Sequence, residues 1–138
     1  MQPAARGRIA QIEAGLPESA WVEARLGHRV VKVFNSILAQ HLLENGRPAG
    51  TPGRIALAVA GDDAGEKAVV ARLLDEIGFD AVDAGPIAES WRQQPGTPGY
   101  LRDGDAAGVR ATLQQASRER TPQWTGTDAS PGTFDSPA

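Results

Sequence analysis

The stretch Arg54-Ile-Ala-Leu-Ala-Val-Ala-Gly-Asp-Asp63 decides how this chain is read. Its first seven residues are a short, mostly apolar run, the pattern of a strand covered on both faces in a parallel sheet. Gly61-Asp62-Asp63 then leads into a helix predicted from about Ala64 to Ile77. Val69, Val70, Leu73, Leu74 and Ile77 fall on one face of that helix, with Glu66, Lys67, Arg72, Asp75 and Glu76 on the other. Asp63 is placed to cap the first turn, Glu66 completes a capping box, and Gly78 supplies a left-handed stop. A second strand, Asp80-Ala-Val-Asp83, runs into Ala84-Gly85-Pro86. Between Arg54 and Gly85 lies one strand–helix–strand unit, the later part of a larger α/β fold. No glycine-rich phosphate loop comes before it in the sequence.

Outward from this unit the pattern weakens. Residues 1–18 form a weakly structured lead, with a short helix over Ile9 to Ala14 broken by Gly15 and Pro17. A firmer helix is predicted from Ser19 to Leu26, ended by Gly27. Arg29-Val-Val-Lys-Val-Phe34 reads as a strand, and Asn35-Ser36 turns it into a helix through His41, Leu42 and Leu43 that Gly46 stops. An irregular loop covers 46–53. After Gly85 come a short helical stretch from Ile87 to Arg92, the irregular Gln93-Gln-Pro-Gly-Thr-Pro-Gly99, and a polar helix from about Asp105 to Arg118. The tail from Thr121, rich in Pro, Gly, Ser and Thr, reads as flexible unless Trp124 anchors it. One domain over 19–120 accounts for the patterned residues.

Composition narrows the function classes. A chain of 138 residues supports one modest core. A net charge of −3 and a pI near 5.3 give no reason to expect nucleic acid or an anionic membrane as partner. Zero cysteines exclude disulfides and thiol chemistry. With neither a secretory leader nor an apolar run of membrane-spanning length in the sequence, a soluble cytoplasmic protein is expected, with a small molecule as its ligand. A half-sheet also exposes strand edges, which makes a homo-oligomer joined through a sheet edge the expected assembly.

Chemistry is sought at the carboxyl ends of the strands, where open parallel sheets bind ligands. Three ends are predicted there: Phe34-Asn35-Ser36, Gly61-Asp62-Asp63 and Gly85-Pro86. Asn35 can donate and accept at a ring carboxamide or carbonyl, or it can simply cap the helix behind it. Asp63 is expected to cap, and Asp62 has no assigned role. His28 and His41 lack a second ligand or an orienting carboxylate in sequence and are expected to be structural. Lys32, inside an apolar strand, is expected to send its amine to the surface or a strand edge. No nucleophilic triad and no metal cluster is expected. The segment Glu89-Ser-Trp-Arg-Gln-Gln-Pro-Gly-Thr-Pro98 is the most distinctive polar stretch. Trp91 offers a stacking face and Arg92 a forked donor for a flat, polar ligand; the alternative is a surface corner sealed by Trp91.

Val30-Val-Lys-Val-Phe-Asn35, Ala39-Gln-His41, Ile55 to Asp63, Asp83-Ala-Gly85 and the Glu89 to Pro98 segment, in this order, resemble the deazaflavin (coenzyme F-420)-dependent NADP oxidoreductase family. The resemblance runs from about Val30 to Tyr100 and more loosely to Trp124. It implies a partial Rossmann-like, mostly parallel sheet with flanking helices, lacking the amino-terminal glycine-rich half. It also implies a truncated member of a family that transfers hydride between NADP(H) and a deazaflavin-type acceptor. Asn35 would then lie beside the reacting rings, with Phe34 and Gly85 also binding the cofactor and Gly85 near the acceptor pocket. Trp91, Arg92, Pro95, Gly96 and Thr97 would line the acceptor pocket. Hydride transfer between two bound rings needs orientation and exclusion of water rather than a side-chain nucleophile. The family's Gly-x-Gly-x-x-Gly loop has no counterpart here, so very weak or no NADP(H) binding is expected. A non-catalytic binding or assembly module derived from the same fold is the rival expectation.

Overall fold

A computed structural model describes residues 9–118. The elements are α1 (Ala10–Glu13), α2 (Glu18–Leu26), a 3₁₀ turn at Phe34–Ser36, α3 (Ala39–Glu44), β1 (Ala56–Val59), α4 (Ala64–Ile77), β2 (Asp80–Asp83), a 3₁₀ turn at Ile87–Gln93 and α5 (Ala106–Gln115). The architecture is α/β, a partial Rossmann-like unit: β1 and β2 pair in parallel, with α4 as their crossover. The register sets Ala56 beside Asp80 and Val59 beside Asp83. The predicted tail from Thr121, with Trp124, lies outside the described residues.

The local signals in the central unit act as expected. Asp63 Oδ2 accepts from the Glu66 N–H at 2.8 Å, capping α4, and Gly78 closes the helix at φ 111°. The capping box is not reciprocal, because the Glu66 carboxylate turns outward to Arg29 at 2.9 Å. α2 ends on Gly27 in the left-handed region, and the Asp105 carboxylate caps α5 by accepting from the Gly108 N–H. α5 is shorter than predicted, ending at Gln115.

β1 is buried along its whole length. Leu57 and Val59 pack with Leu74, Phe79, Val33 and Ile37 into the core. Alternate strand residues point to opposite faces, and the small Ala56 and Ala58 let α5 and the 87–93 turn come close on the other side. Arg54, just ahead of β1, ties the bottom of the unit together. Its buried guanidinium donates to Asp75 Oδ1 at 2.7 Å, to Asp80 Oδ1 at 2.9 Å, and to the Asp75 and Arg47 carbonyls. One forked cation thus joins the last turn of α4 to the start of β2, a geometry a lysine cannot copy.

Two expectations fail. The segment Arg29–Phe34 is not a strand: it makes one antiparallel bridge, Lys32 to Ala60, with N···O distances of 2.8 and 2.9 Å. Val33 then leaves the extended region (φ −144°, ψ −49°) and the chain enters the 3₁₀ turn. The following helix starts only at Ala39, and Asn45 rather than Gly46 is its carboxyl cap. Gly46 instead packs against the end of α4. The apolar face of α4 is also wider than the surface it buries. Leu74 is fully enclosed and Val70 packs on the core, whereas Val69, Leu73 and Ile77 stay exposed.

The contact at the end of α4 generates a test. A Cβ on Gly78 would sit 2.6 Å from Gly46 Cα, in addition to the strain of a positive φ. Gly50 has φ 82° but open space around it. Gly78→Ala should therefore cost about 3 kcal/mol or more, against about 1 kcal/mol for Gly50→Ala, in urea denaturation. Equal losses would show that the close approach of the two backbones does not matter.

Candidate functional site

Two of the three predicted strand ends meet. The Gly61 N–H donates to the Gly85 carbonyl at 3.0 Å, and Asp62 Oδ1 accepts from the Ile87 N–H at 3.0 Å. Asp62 thereby caps the 87–93 turn, the role that its sequence position did not reveal. Asp83 Oδ1 accepts from Lys67 Nζ at 2.9 Å and from the Gly85 N–H at 2.7 Å. Lys67 first, then the Gly85 amide, hold the Asp83 carboxyl below its usual range. Gly85 sits at φ 85° with no atom close enough to meet a Cβ.

The third end is elsewhere. Because Lys32 pairs with Ala60 in the antiparallel sense, the chain from Lys32 onward runs back along β1. Asn35 comes to the level of Ala58, about three residues or roughly 10 Å short of Gly61. Phe34, 40 % exposed, goes with it. Asn35 does not cap α3, whose amino end has no side-chain cap.

Asn35 instead meets the second sequence motif. Its Nδ2 donates to the Gln93 carbonyl at 2.6 Å, and Gln93 Nε2 donates to Asn35 Oδ1 at 3.3 Å. Gln93 Nε2 also donates to the Ala58 carbonyl on β1 at 3.3 Å. The Ser36 hydroxyl donates to the Gln93 carbonyl at 3.4 Å. Both acceptors of the Gln93 amide nitrogen are carbonyl-type oxygens, which fixes the orientation of the amide. Gln93 Oε1 then faces no donor, although Gln93 is 2 % exposed. Beside it a recess of about 20 Å³ lies between β1 and α5, with Ser36, Asp103, Thr112 and Leu113 among its walls. That is room for one water molecule and not for a nicotinamide or deazaflavin ring.

The remaining polar segment is engaged internally. Arg92 lies 4.3 Å over the Trp91 ring, donates through Nε and Nη2 to Glu89 Oε1, and through Nη1 to the Leu113 carbonyl. Arg118 lies over the same ring at 5.2 Å. The Arg92 guanidinium, with a lesser part from Trp91, holds the Glu89 carboxyl below its ordinary value. Trp91 Nε1 is buried near that carboxylate without reaching hydrogen-bond geometry. The Gln94 carbonyl accepts from both the Thr97 N–H and the Thr97 hydroxyl, closing a turn around Pro95 and Gly96. Gln94 Oε1 accepts from the Glu18 N–H, which seats α2 on this corner.

Sequence reading missed one long-range feature. His41 has an orienting carboxylate after all: its Nδ1 is 2.6 Å from Asp103 Oδ2, sixty-two positions away. Lys32 lies at the edge of β1, as expected, and is partly buried there. Burial lowers its pKa, partly offset by the charge of Glu18, and its amine has no hydrogen-bonding partner among the described residues. Burial also raises the Tyr100 phenol, with Glu18 adding to the shift. No group of residues with metal-binding spacing occurs among the described residues.

Lys32 sets a pH dependence. Its folded pKa lies below the unfolded value near 10.5. Between the two, the unfolded chain binds more protons, so stability rises with pH through that window. Lys32→Met should be more stable than the parent at neutral pH and should lose the alkaline rise. Urea denaturation from neutral to about pH 10 checks both; a rise retained in Lys32→Met would assign it to another group.

No family model matches the sequence. Over 71 residues the chain is 49 % identical to protein YjhV of Escherichia coli (strain K12), the match covering 51 % of this chain and 50 % of that one. The chain thus spans about half the length of the curated relative it matches. Among solved structures, a chain from Arthrobacter sp. FB24, provisionally described as an F420-dependent NADP-reductase, is similar at 32 % identity and a TM-score of 0.45 over 52 % of this chain and 33 % of that one. Among the described residues no helix is long and apolar enough to cross a membrane.

Proposed function

We propose that this chain is a module of the NADP-dependent oxidoreductase fold that forms a wall of the acceptor side and holds no hydride-transfer site by itself. One observation carries the reading. The ligand-type groups of both sequence motifs, Asn35 and Arg92, are committed to internal bonds that fasten the two motifs to β1 and α5. The resemblance of those motifs to the coenzyme F-420-dependent family supplies the parent chemistry, NADP(H) and a deazaflavin-type acceptor. A pyrophosphate needs a cluster of free backbone N–H groups at a helix start. At α4, the longest helix among the described residues, the Asp63 carboxylate occupies that position and repels an anion.

A second reading keeps one ligand contact. Asn35 uses one of its two amide hydrogens and one lone pair on Gln93, which leaves one donor and one acceptor for a ring carboxamide. Calorimetric titration with NADPH, and separately with the deazaflavin coenzyme, separates the two readings. The module reading predicts no heat of micromolar binding for either. Micromolar affinity for NADPH would overturn it. Binding of the deazaflavin that Asn35→Ala weakens about tenfold would establish the second reading instead.

A further inference from the structure

From Gly99 to Gly104 the chain runs as a strap to the outer edge of β1. The Arg102 N–H donates to the Gly99 carbonyl at 3.2 Å, which closes a tight turn over these four residues. Leu101 is the third residue of that turn and has φ 57°, alone among the non-glycine residues described. Turns of this kind take glycine or asparagine there, because a bulky side chain in the left-handed region crowds its own backbone. The strained turn delivers the Gly104 carbonyl to the Ala56 N–H at 2.9 Å. It also sets Arg102 and Asp103 in the wall of the recess between β1 and α5. Among the described residues, a single side-chain hydrogen bond or ion pair ties this strap to the rest of the chain. It joins Asp103 Oδ2 to His41 Nδ1 on α3, 2.6 Å apart.

We infer that Gly99–Gly104 is a strained strap latched by the His41–Asp103 pair, and that releasing the latch lets it lift from β1. This inference is independent of the ligand reading above. Two features favour lifting. A leucine in the left-handed region persists there only while its surroundings impose it, so lifting relieves it. The latch is itself partly in water, its His41 and Asp103 side chains 39 and 26 % exposed, and ion pairs so placed hold weakly. Lifting uncovers the Ala56 N–H and opens the recess beside Gln93. The bonds of Gln93 to Ala58 and of Lys32 to Ala60 do not run through the strap and stay in place. The strap therefore guards one end of a strand edge that would otherwise be open to pairing.

Native-state amide exchange of the full chain in low urea tests this. In the parent, Ala56 should exchange somewhat ahead of Ala60 and with a much weaker urea dependence, because lifting a strap exposes far less surface than unfolding. His41→Ala and Asp103→Ala should each speed Ala56 exchange about fivefold. The two together should do no more than either alone, since one interaction is lost in all three. Strain is read from two variants that both remove the leucine side chain. Ala56 should exchange severalfold more slowly in Leu101→Gly than in Leu101→Ala, as glycine is at ease at this φ and alanine is not. The Leu101 variants keep the test decisive if a latch variant fails to fold. Equal urea dependence at Ala56 and Ala60 would overturn the inference, as would latch variants that leave Ala56 exchange unchanged. Summed effects in the double variant, or equal exchange in the two Leu101 variants, would overturn it too.

Discussion

The outer edge of β1 is the constraint on which the structure turns. A buried strand with a neighbour on one side only must find partners for the backbone groups on its other side. Here β2 takes one edge, and three unrelated segments share the other. The Gly104 carbonyl accepts from the Ala56 N–H at 2.9 Å, the Gln93 amide donates to the Ala58 carbonyl, and Lys32 exchanges both bonds with Ala60. No third strand is needed to close the unit, because a loop carbonyl, a side-chain amide and a single bridge stand where one would run.

That substitution explains why the polar motifs are occupied. Gln93 reaches β1 only because Asn35 holds its backbone carbonyl and takes its other amide hydrogen. The 87–93 turn stays in place because Asp62 caps its start and Arg92 fastens its end to Leu113 on α5. Residues that suit a flat polar ligand by composition serve here as the joinery of a half-sheet. Each buried bond of this kind is worth only about 1 kcal/mol when made, but leaving its partner unsatisfied costs more. The set therefore acts together, and the loss of one member is felt by the others.

The same physics marks what the sequence revealed. From Arg54 to Gly85 every signal is local: an apolar run, a cap three residues from its N–H, a glycine at a positive φ. These elements were legible to within about two residues. Arg29–Phe34 was not, because strand propensity reports side chains that suit a sheet, not whether an edge is available. Val31 and Val33 do reach the core, but the outer edge of β1 ahead of Ala60 is already taken by Gln93 at Ala58 and Gly104 at Ala56. The polar residues were legible as a set, and their pairings were not. Asn35 and Gln93, or His41 and Asp103, meet across about sixty positions with no mark in either segment. The exposed stripe on α4 was hidden for the opposite reason: periodicity finds an apolar face without telling how much of it a neighbour covers.

Amide hydrogen exchange along β1, resolved residue by residue, addresses the closed edge directly. The Ala56 and Ala60 amides should exchange slowly, near the limit set by global unfolding. The Ala58 amide between them lies on the same edge and has no acceptor among the described residues, so it should exchange faster than both. An Ala58 amide as protected as its neighbours, or Ala56 and Ala60 amides as fast as those of the 46–53 loop, would show that something other than Gly104, Gln93 and Lys32 completes the sheet.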